Sequence, residues 1–246
     1  MFYHRNMADA PAPTPTSAAG RHGATRDLVE ILIAYALIMM VIWTPRPAQR
    51  VLWWVAAAGV LVIICLSFDG WAAVGIRSAN FFRSLWIVGA ALALSLAAIM
   101  VAARMGTLRL QPTVFAFVGT YIAYAIWSAV QQFLLQGFFL VRFLRLIPRG
   151  WQAALVAAVL FASCHLPSPF LAPITLLWGF VACLLFLRYR NLFPLALAHA
   201  ILGITIALTV PGTVDHNMRV GLGYLTYNPH HQHHRHVPIV EPSPKE

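Results

Sequence analysis

Long apolar runs separated by short polar or proline-bearing breaks succeed one another from Leu28 to Val210. Their lengths suit helices that cross a bilayer, a task that takes about 20 consecutive apolar residues. Strict alternation of apolar and polar positions is missing, so the pattern predicts helices and not a transmembrane β-barrel. Seven runs are expected to span, at about 28–44, 51–67, 85–103, 114–143, 151–166, 170–187 and 192–210. The fold class that follows is all-α, a polytopic transmembrane helix bundle of about seven spans (six to eight). Residues 68–84, with Trp71 and Arg77, are too polar to span and suit an interfacial helix or loop. The fourth run is longer than a crossing needs, so it is either one long tilted helix or two broken pieces.

Composition supports this class, with 60% hydrophobic and 10% charged residues, far from the balance of a soluble domain. A formal charge of +10 raises the question of a nucleic-acid partner. The arginines, however, sit in pairs at the ends of apolar runs, as Arg46 and Arg50, Arg77 and Arg83, Arg104 and Arg109, and Arg188 and Arg190. That is flanking charge that sets topology, and its bias favours a cytoplasmic amino terminus; the membrane expected is a bacterial inner membrane. The lipid bilayer is the expected partner, and nucleic acid is not. Cys65, Cys164 and Cys183 lie within apolar runs and read as buried thiols.

Three regions are expected: a disordered polar leader at 1–27, the bundle at 28–210, and a polar tail at 211–246. The leader is rich in Pro, Ala and Thr and cannot supply a core. The tail gathers His230, His231, His233, His234 and His236. Clustered imidazoles chelate metals, but composition alone makes no fixed site, and a flexible low-complexity tail is the preferred reading.

The polar residues inside the apolar runs carry the chemistry. Thr120, Tyr124, Ser128, Gln132 and Gln136 recur every four residues and share one face of the fourth run, with Gln131 beside them. An amide buried unpaired in hydrocarbon costs about 1–3 kcal/mol, so these groups must face protein or a wet cavity. The plain reading is hydrogen-bonded glue between helices. Two histidines sharpen it: His165, four residues after Phe161 on the fifth run, and His199 on the seventh, four residues before Gly203. A histidine can shuttle protons, stabilise an oxyanion or hold a metal.

The order Gln131-Gln132-Phe133-Leu134-Leu135-Gln136, then Phe161-Ala162-Ser163-Cys164-His165, then His199-Ala200-Ile201-Leu202-Gly203 resembles the CAAX prenyl-protease-like membrane proteins, the CPBP or Abi group. That family carries Glu-Glu-x-x-x-Arg, Phe-x-x-x-His and His-x-x-x-Asn on membrane helices, and the resemblance covers roughly residues 70–210. It implies peptide-bond cleavage near the carboxyl end of a membrane-associated substrate. A water activated by the first glutamate attacks, and the histidines and asparagine position it and stabilise the oxyanion. Carried over, Gln131 takes the water-activating position and Gln132 its neighbour's. His165 and His199 keep the family's residue types, while Gln136, Phe161 and Gly203 line the substrate side.

The departures matter chemically. Both glutamates are glutamine, the arginine is Gln136, and the asparagine is Gly203. A neutral amide orients a water but cannot take its proton. No Asp or Glu lies between Asp69 and Asp215, which leaves Glu30, expected as an interfacial anchor, with a bundle-facing role open. Three accounts stay open. A histidine is the base and the glutamines position water or carbonyl; or Ser163 or Cys164 is a nucleophile; or hydrolysis is lost and a pseudoprotease binds or escorts a membrane partner. A small-molecule transporter is disfavoured by the lack of an internal repeat. Neither a metal nor another cofactor is expected, since the two core histidines fall short of the three protein ligands of a typical zinc site.

Overall fold

The computed structural model describes residues 18–110 and 113–228. The leader through residue 17 and the histidine-rich stretch 229–246 lie outside the described residues. The chain folds as helices α1 (Ala18–Ile42), α2 (Ala48–Leu66), a short α3 (Phe81–Ser84) and α4 (Trp86–Met105). There follow α5 (Val114–Leu146), α6 (Gly150–Ser163), α7 (Leu171–Tyr189) and α8 (Phe193–Thr209). Short turns of helix at Gly212–Asp215, His216–Met218 and Leu222–Leu225 close the described part.

The seven long helices occupy the seven apolar runs. Among the described residues, four stretches are long and apolar enough to cross a membrane unaided: α2, Phe81–Met105, α5 and α7. Helix α8 joins them if the segment Gly212–Met218, bent from it by 113°, is counted with it. Helix α6 is apolar but only 14 residues long, and α1 carries Arg26, Asp27 and Glu30 in its amino-terminal part. The outward faces of the helices carry large apolar side chains such as Trp54, Leu66 and Phe115, as lipid-facing helices must. The chain is an integral membrane protein.

Small residues build the interior. Ala153, Ala154, Ala157, Ala158 and Ala162 of α6 are all buried, and their three- and four-residue spacing lays them along one face. That face meets α7, where a side chain on Gly179 would press on Phe161 and Ala158. Close backbone approach of this kind is how helices gain packing energy where lipid leaves little hydrophobic drive between them. Helices α4 and α5 pack on α8, and α2 packs principally on α1. The segment 68–80 forms turns, as expected of an interfacial loop. Asn191 holds it by donating to the carbonyls of Arg77 and Ala79.

Helix α5 is continuous, which settles the choice between one long helix and two pieces. Its middle, Phe133–Leu140, is π-helical. Its last turns carry Arg142 and Arg145 into a charged cluster with the starts of α1 and the loop after α2. Arg142 donates to Glu30 Oε2 at 2.7 and 2.9 Å and to Ser67 Oγ at 2.6 Å. Arg145 forks onto both Asp27 oxygens at 2.6 and 2.7 Å and reaches Asp69 at 2.7 Å. Glu30 takes the bundle-facing role, between Arg142 and the exposed Arg26, because the buried guanidinium of Arg142 needs a counter-charge that lipid cannot offer.

Candidate active site

The π-helical stretch begins immediately after Gln132. Hydrogen bonding from each residue to the fifth before it widens the turn, and such stretches recur at functional sites. Here the wider turn sets Gln136 beneath Gln132, and Gln136 Nε2 donates to Gln132 Oε1 at 2.7 Å. The remaining donor of Gln132, its Nε2, meets His199 Nδ1 at 2.8 Å. Because that amide nitrogen can only donate, His199 Nδ1 accepts, and the ring carries its proton on Nε2. Both glutamines are fully buried, so the relay is sealed inside protein. One buried oxygen, Gln136 Oε1, has no partner among the described residues.

His165 has the opposite tautomer. Helix α6 ends at Ser163, two residues before His165 and ahead of Pro167, which disfavours further helix. In the turn beyond, His165 Nδ1 lies 2.9 Å from the Phe161 carbonyl. A carbonyl only accepts, so Nδ1 carries the proton and Nε2 keeps its lone pair. The two rings meet the same phenyl group: Phe161 lies edge-on to His165 at 4.8 Å and to His199 at 6.0 Å between centroids. The indole of Trp178 is 6.0 Å from His199, and its Nε1–H is buried without a partner among the described residues.

Gly203 faces α5. A Cβ built there would collide with the hydroxyl of Tyr124 and lie 2.6 Å from the ring carbon that bears it. The space that a side chain at 203 would fill is therefore already taken by a phenol. Tyr124 stands on the polar stripe, two turns before Gln132, and its place opposite Gly203 has no signal in the sequence.

These groups line one cavity of about 1650 Å³ that runs through the bundle. Gln131, His165, His199, Gly203, Tyr124 and Trp178 all reach it, whereas Gln132 and Gln136 stand behind its wall. Gln131 makes no hydrogen bond among the described residues, which leaves its amide to the cavity. On one flank the lining includes Leu61, Leu94 and Ile126, each more than half exposed, so the cavity is open on the flank between α2 and the α4–α5 pair. Neither Ser163 nor Cys164 pairs with His165. Ser163 Oγ donates to the Leu160 carbonyl at 2.7 Å and shares a 2.7 Å bond with Tyr35, and Cys164 Sγ lies 3.4 Å from the Leu160 carbonyl. No three His, Cys, Asp or Glu side chains converge on a metal position among the described residues.

The sequence model described as type II CAAX prenyl endopeptidase Rce1-like matches residues 112–205. Over these residues the chain is similar to the CAAX prenyl-protease-like family. The match runs from the start of α5 almost to the end of α8 and so contains Tyr124, the three glutamines, Phe161, Trp178, Gly203 and both histidines. No curated protein and no solved structure matches the chain. Against the family pattern, the two motif positions differ in surroundings: Gln131 faces the cavity and Gln132 faces His199. The position of the motif arginine, Gln136, is a buried amide in the relay. Arg109 also lies on the cavity wall, a placement that its position in a polar connection does not announce.

Proposed function

We propose that this protein is a membrane-embedded CAAX-type peptidase that cleaves near the carboxyl end of membrane-associated peptides, with neutral residues in place of the family's carboxylates. The observation that carries the reading is the pairing of opposite histidine tautomers around Phe161 on one cavity. His165 Nε2 has the lone pair to take a proton, and His199 Nε2–H has the proton to donate. Gln131 orients a water against the scissile carbonyl. The water oxygen attacks the carbonyl carbon as its proton passes to His165, and the oxyanion that forms accepts from His199 Nε2–H and the Tyr124 hydroxyl. The protonated His165 then gives its proton to the leaving nitrogen as the carbon–nitrogen bond breaks. Substrates enter through the sideways opening. The end bearing Arg142, Arg145, Arg188 and Arg190 faces the cytoplasm, in line with the excess of arginine there.

The alternative is a pseudoprotease that holds or escorts a partner in the same cavity. Its support is that no carboxylate lines the cavity among the described residues. Cleavage of membrane-anchored peptides by the purified protein decides between them. Wild type should yield a discrete product, and His165→Ala and His199→Ala should each lower the rate by about 10²–10⁴, the usual worth of a positioned acid or base. The same background in all three proteins, with peptide retained by wild type, would establish the binding reading instead.

A further inference from the structure

At the end of the bundle where Arg142 and Arg145 are ion-paired, a second group of arginines has no counter-charge. Arg77 lies in the loop before α3, and Arg188 and Arg190 lie where α7 gives way to α8. A Cβ on Gly150, just past the end of α5, would lie 3.3 Å from Leu187 near the end of α7, so both groups belong to the same end. The carboxylates of the described residues are engaged elsewhere. Asp27, Glu30 and Asp69 meet Arg26, Arg142 and Arg145, and Asp215 stands beside Arg109.

Arg77 has a structural task of its own. Its Nε–H donates to the Arg190 carbonyl at 2.8 Å and its Nη2–H to the Tyr189 carbonyl at 3.3 Å, which caps the carbonyl end of α7. Its Nη1 keeps both hydrogens without a partner among the described residues. Arg190 has no such task. Its guanidinium makes no hydrogen bond or ion pair among the described residues and lies 5.6 Å from the centre of the Phe186 ring. Burial and the neighbouring Arg77 charge hold it below its ordinary pKa, the mark of a cation short of a partner. Its backbone is left-handed, with φ 51°, where a helix ends at less cost on glycine. An arginine at a strained backbone position, beside a like charge and with its donors free, fits an anion as ligand.

The surroundings say which anion. Trp86 Nε1–H donates to the Tyr189 hydroxyl at 3.0 Å, and the Arg188 guanidinium lies 5.5 Å from the Tyr189 ring. Phe82 on α3, Trp86 at the start of α4 and Phe193 at the start of α8 are all exposed, and α3 packs on both α7 and α8. Tryptophan and tyrosine at the ends of spans sit at headgroup depth, and exposed phenylalanines beside them offer apolar surface to acyl chains. A soluble anion has no use for such a rim.

We propose that Arg77, Arg188 and Arg190 bind the phosphate of an anionic phospholipid whose acyl chains lie against Phe82, Trp86 and Phe193. The phosphate oxygens accept from Arg77 Nη1 and from the Arg190 fork, and the exposed Arg188 adds its charge. The lipid supplies the counter-charge that the chain lacks and ties the 68–80 loop to the turn between α7 and α8. Basic pockets between spans recognise anionic headgroups in this way.

Full-length protein, delipidated in detergent, is titrated with palmitoyl-oleoyl phosphatidylglycerol, with the matching phosphatidylcholine and with inorganic phosphate. Bound lipid is counted by native mass spectrometry, and melting is followed in parallel. Wild type should bind phosphatidylglycerol about tenfold more tightly than phosphatidylcholine or better, given the usual worth of basic side chains at the headgroup. Phosphatidylglycerol should also raise the melting temperature where inorganic phosphate at equal concentration does not. Arg190→Gly removes the charge at a backbone position that glycine prefers, so the fold should hold while the lipid preference falls to within about twofold of parity. Arg190→Lys should keep part of it. The double variant Arg46→Gln/Arg50→Gln removes two charges between α1 and α2 and should leave the preference intact. Equal binding of the two lipids by wild type overturns the inference, and so does an Arg190→Gly protein that keeps the preference. An equal loss in the Arg46→Gln/Arg50→Gln protein overturns it too, because net charge would then be the cause. If inorganic phosphate stabilises the protein as well as phosphatidylglycerol does and displaces it, the ligand is a soluble anion and the lipid assignment falls. None of these readouts involves peptide cleavage, so the lipid site stands or falls apart from the proposed activity.

Discussion

Helix α5 carries two polar clusters that solve the problem of burial in opposite ways. At its carboxyl-terminal end, Arg142 and Arg145 are ion-paired with Glu30, Asp27 and Asp69. At its centre, Gln132 and Gln136 are wholly neutral and bonded to each other and to His199. A charge in low dielectric must be met by another charge with good geometry, and that holds a structure in one register. A neutral amide chain costs less to bury, and it leaves the imidazole it touches uncharged with one defined tautomer. The first cluster fastens the ends of α1, α2 and α5 together, and the second holds the His199 ring in place on the cavity wall, as the proposed chemistry requires. Polar residues of one helix thus divide into clamps and tools by what lies opposite them.

The division has its largest expected consequence at Arg142. Arg142→Ala leaves Glu30 with Arg26 as its remaining partner and removes a guanidinium stacked 3.7 Å over Phe138, so unfolding in detergent should ease by about 3 kcal/mol, the low end of the cost of breaking a buried pair. Double substitution with Glu30→Gln should recover part of that loss. If Arg142→Ala melts like wild type, the cluster is no clamp.

Tyr124→Phe tests the tool side with a smaller effect. It removes only the hydroxyl beside Gly203, so the rate constant kcat should fall by about tenfold or more with KM unchanged, as for loss of one oxyanion donor. A rise in KM alone would show that the phenol serves ground-state binding. The paired variant Tyr124→Ala/Gly203→Asn offers an amide in the space the phenol leaves and should regain activity that Tyr124→Ala alone lacks.

Gln136→Leu is expected to matter least for stability, at about 1 kcal/mol, since it deletes one neutral bond together with an oxygen that has no partner. Its sharper readout is the 15N chemical shift of His199. Without the donor that fixes the Gln132 amide, the imidazole should show both tautomers where wild type shows one, and an unchanged spectrum would mean Gln136 does not orient the relay.

Much of this architecture is legible along the chain. The lengths of the apolar runs and the breaks between them already place seven helices, because hydrocarbon demands an apolar stretch with its backbone bonds made internally. The four-residue spacing of Gln132 and Gln136 and the order of the motifs already bring the two glutamines and two histidines under suspicion. Other features needed the fold. Glu30 reads as an interfacial anchor until Arg142, 112 residues away in sequence, is seen to need its charge. Tyr124 reads as helix glue until Gly203 of α8 leaves the room its ring occupies. Arg109 reads as flanking charge until the end of α8 draws it onto the cavity wall.

By itself, then, the sequence determined that this is a helical membrane protein with a CAAX-protease-like region, and which residue types sit at its motif positions. Periodicity and hydropathy are local, and they act on each segment wherever it packs. Only the tertiary structure decided which glutamine faces the cavity and which holds His199, that the histidines carry opposite tautomers, and which arginine reaches the cavity wall. Those are relations between side chains on different helices, set by close packing and by the need of each buried polar group for a partner, and no local pattern encodes them.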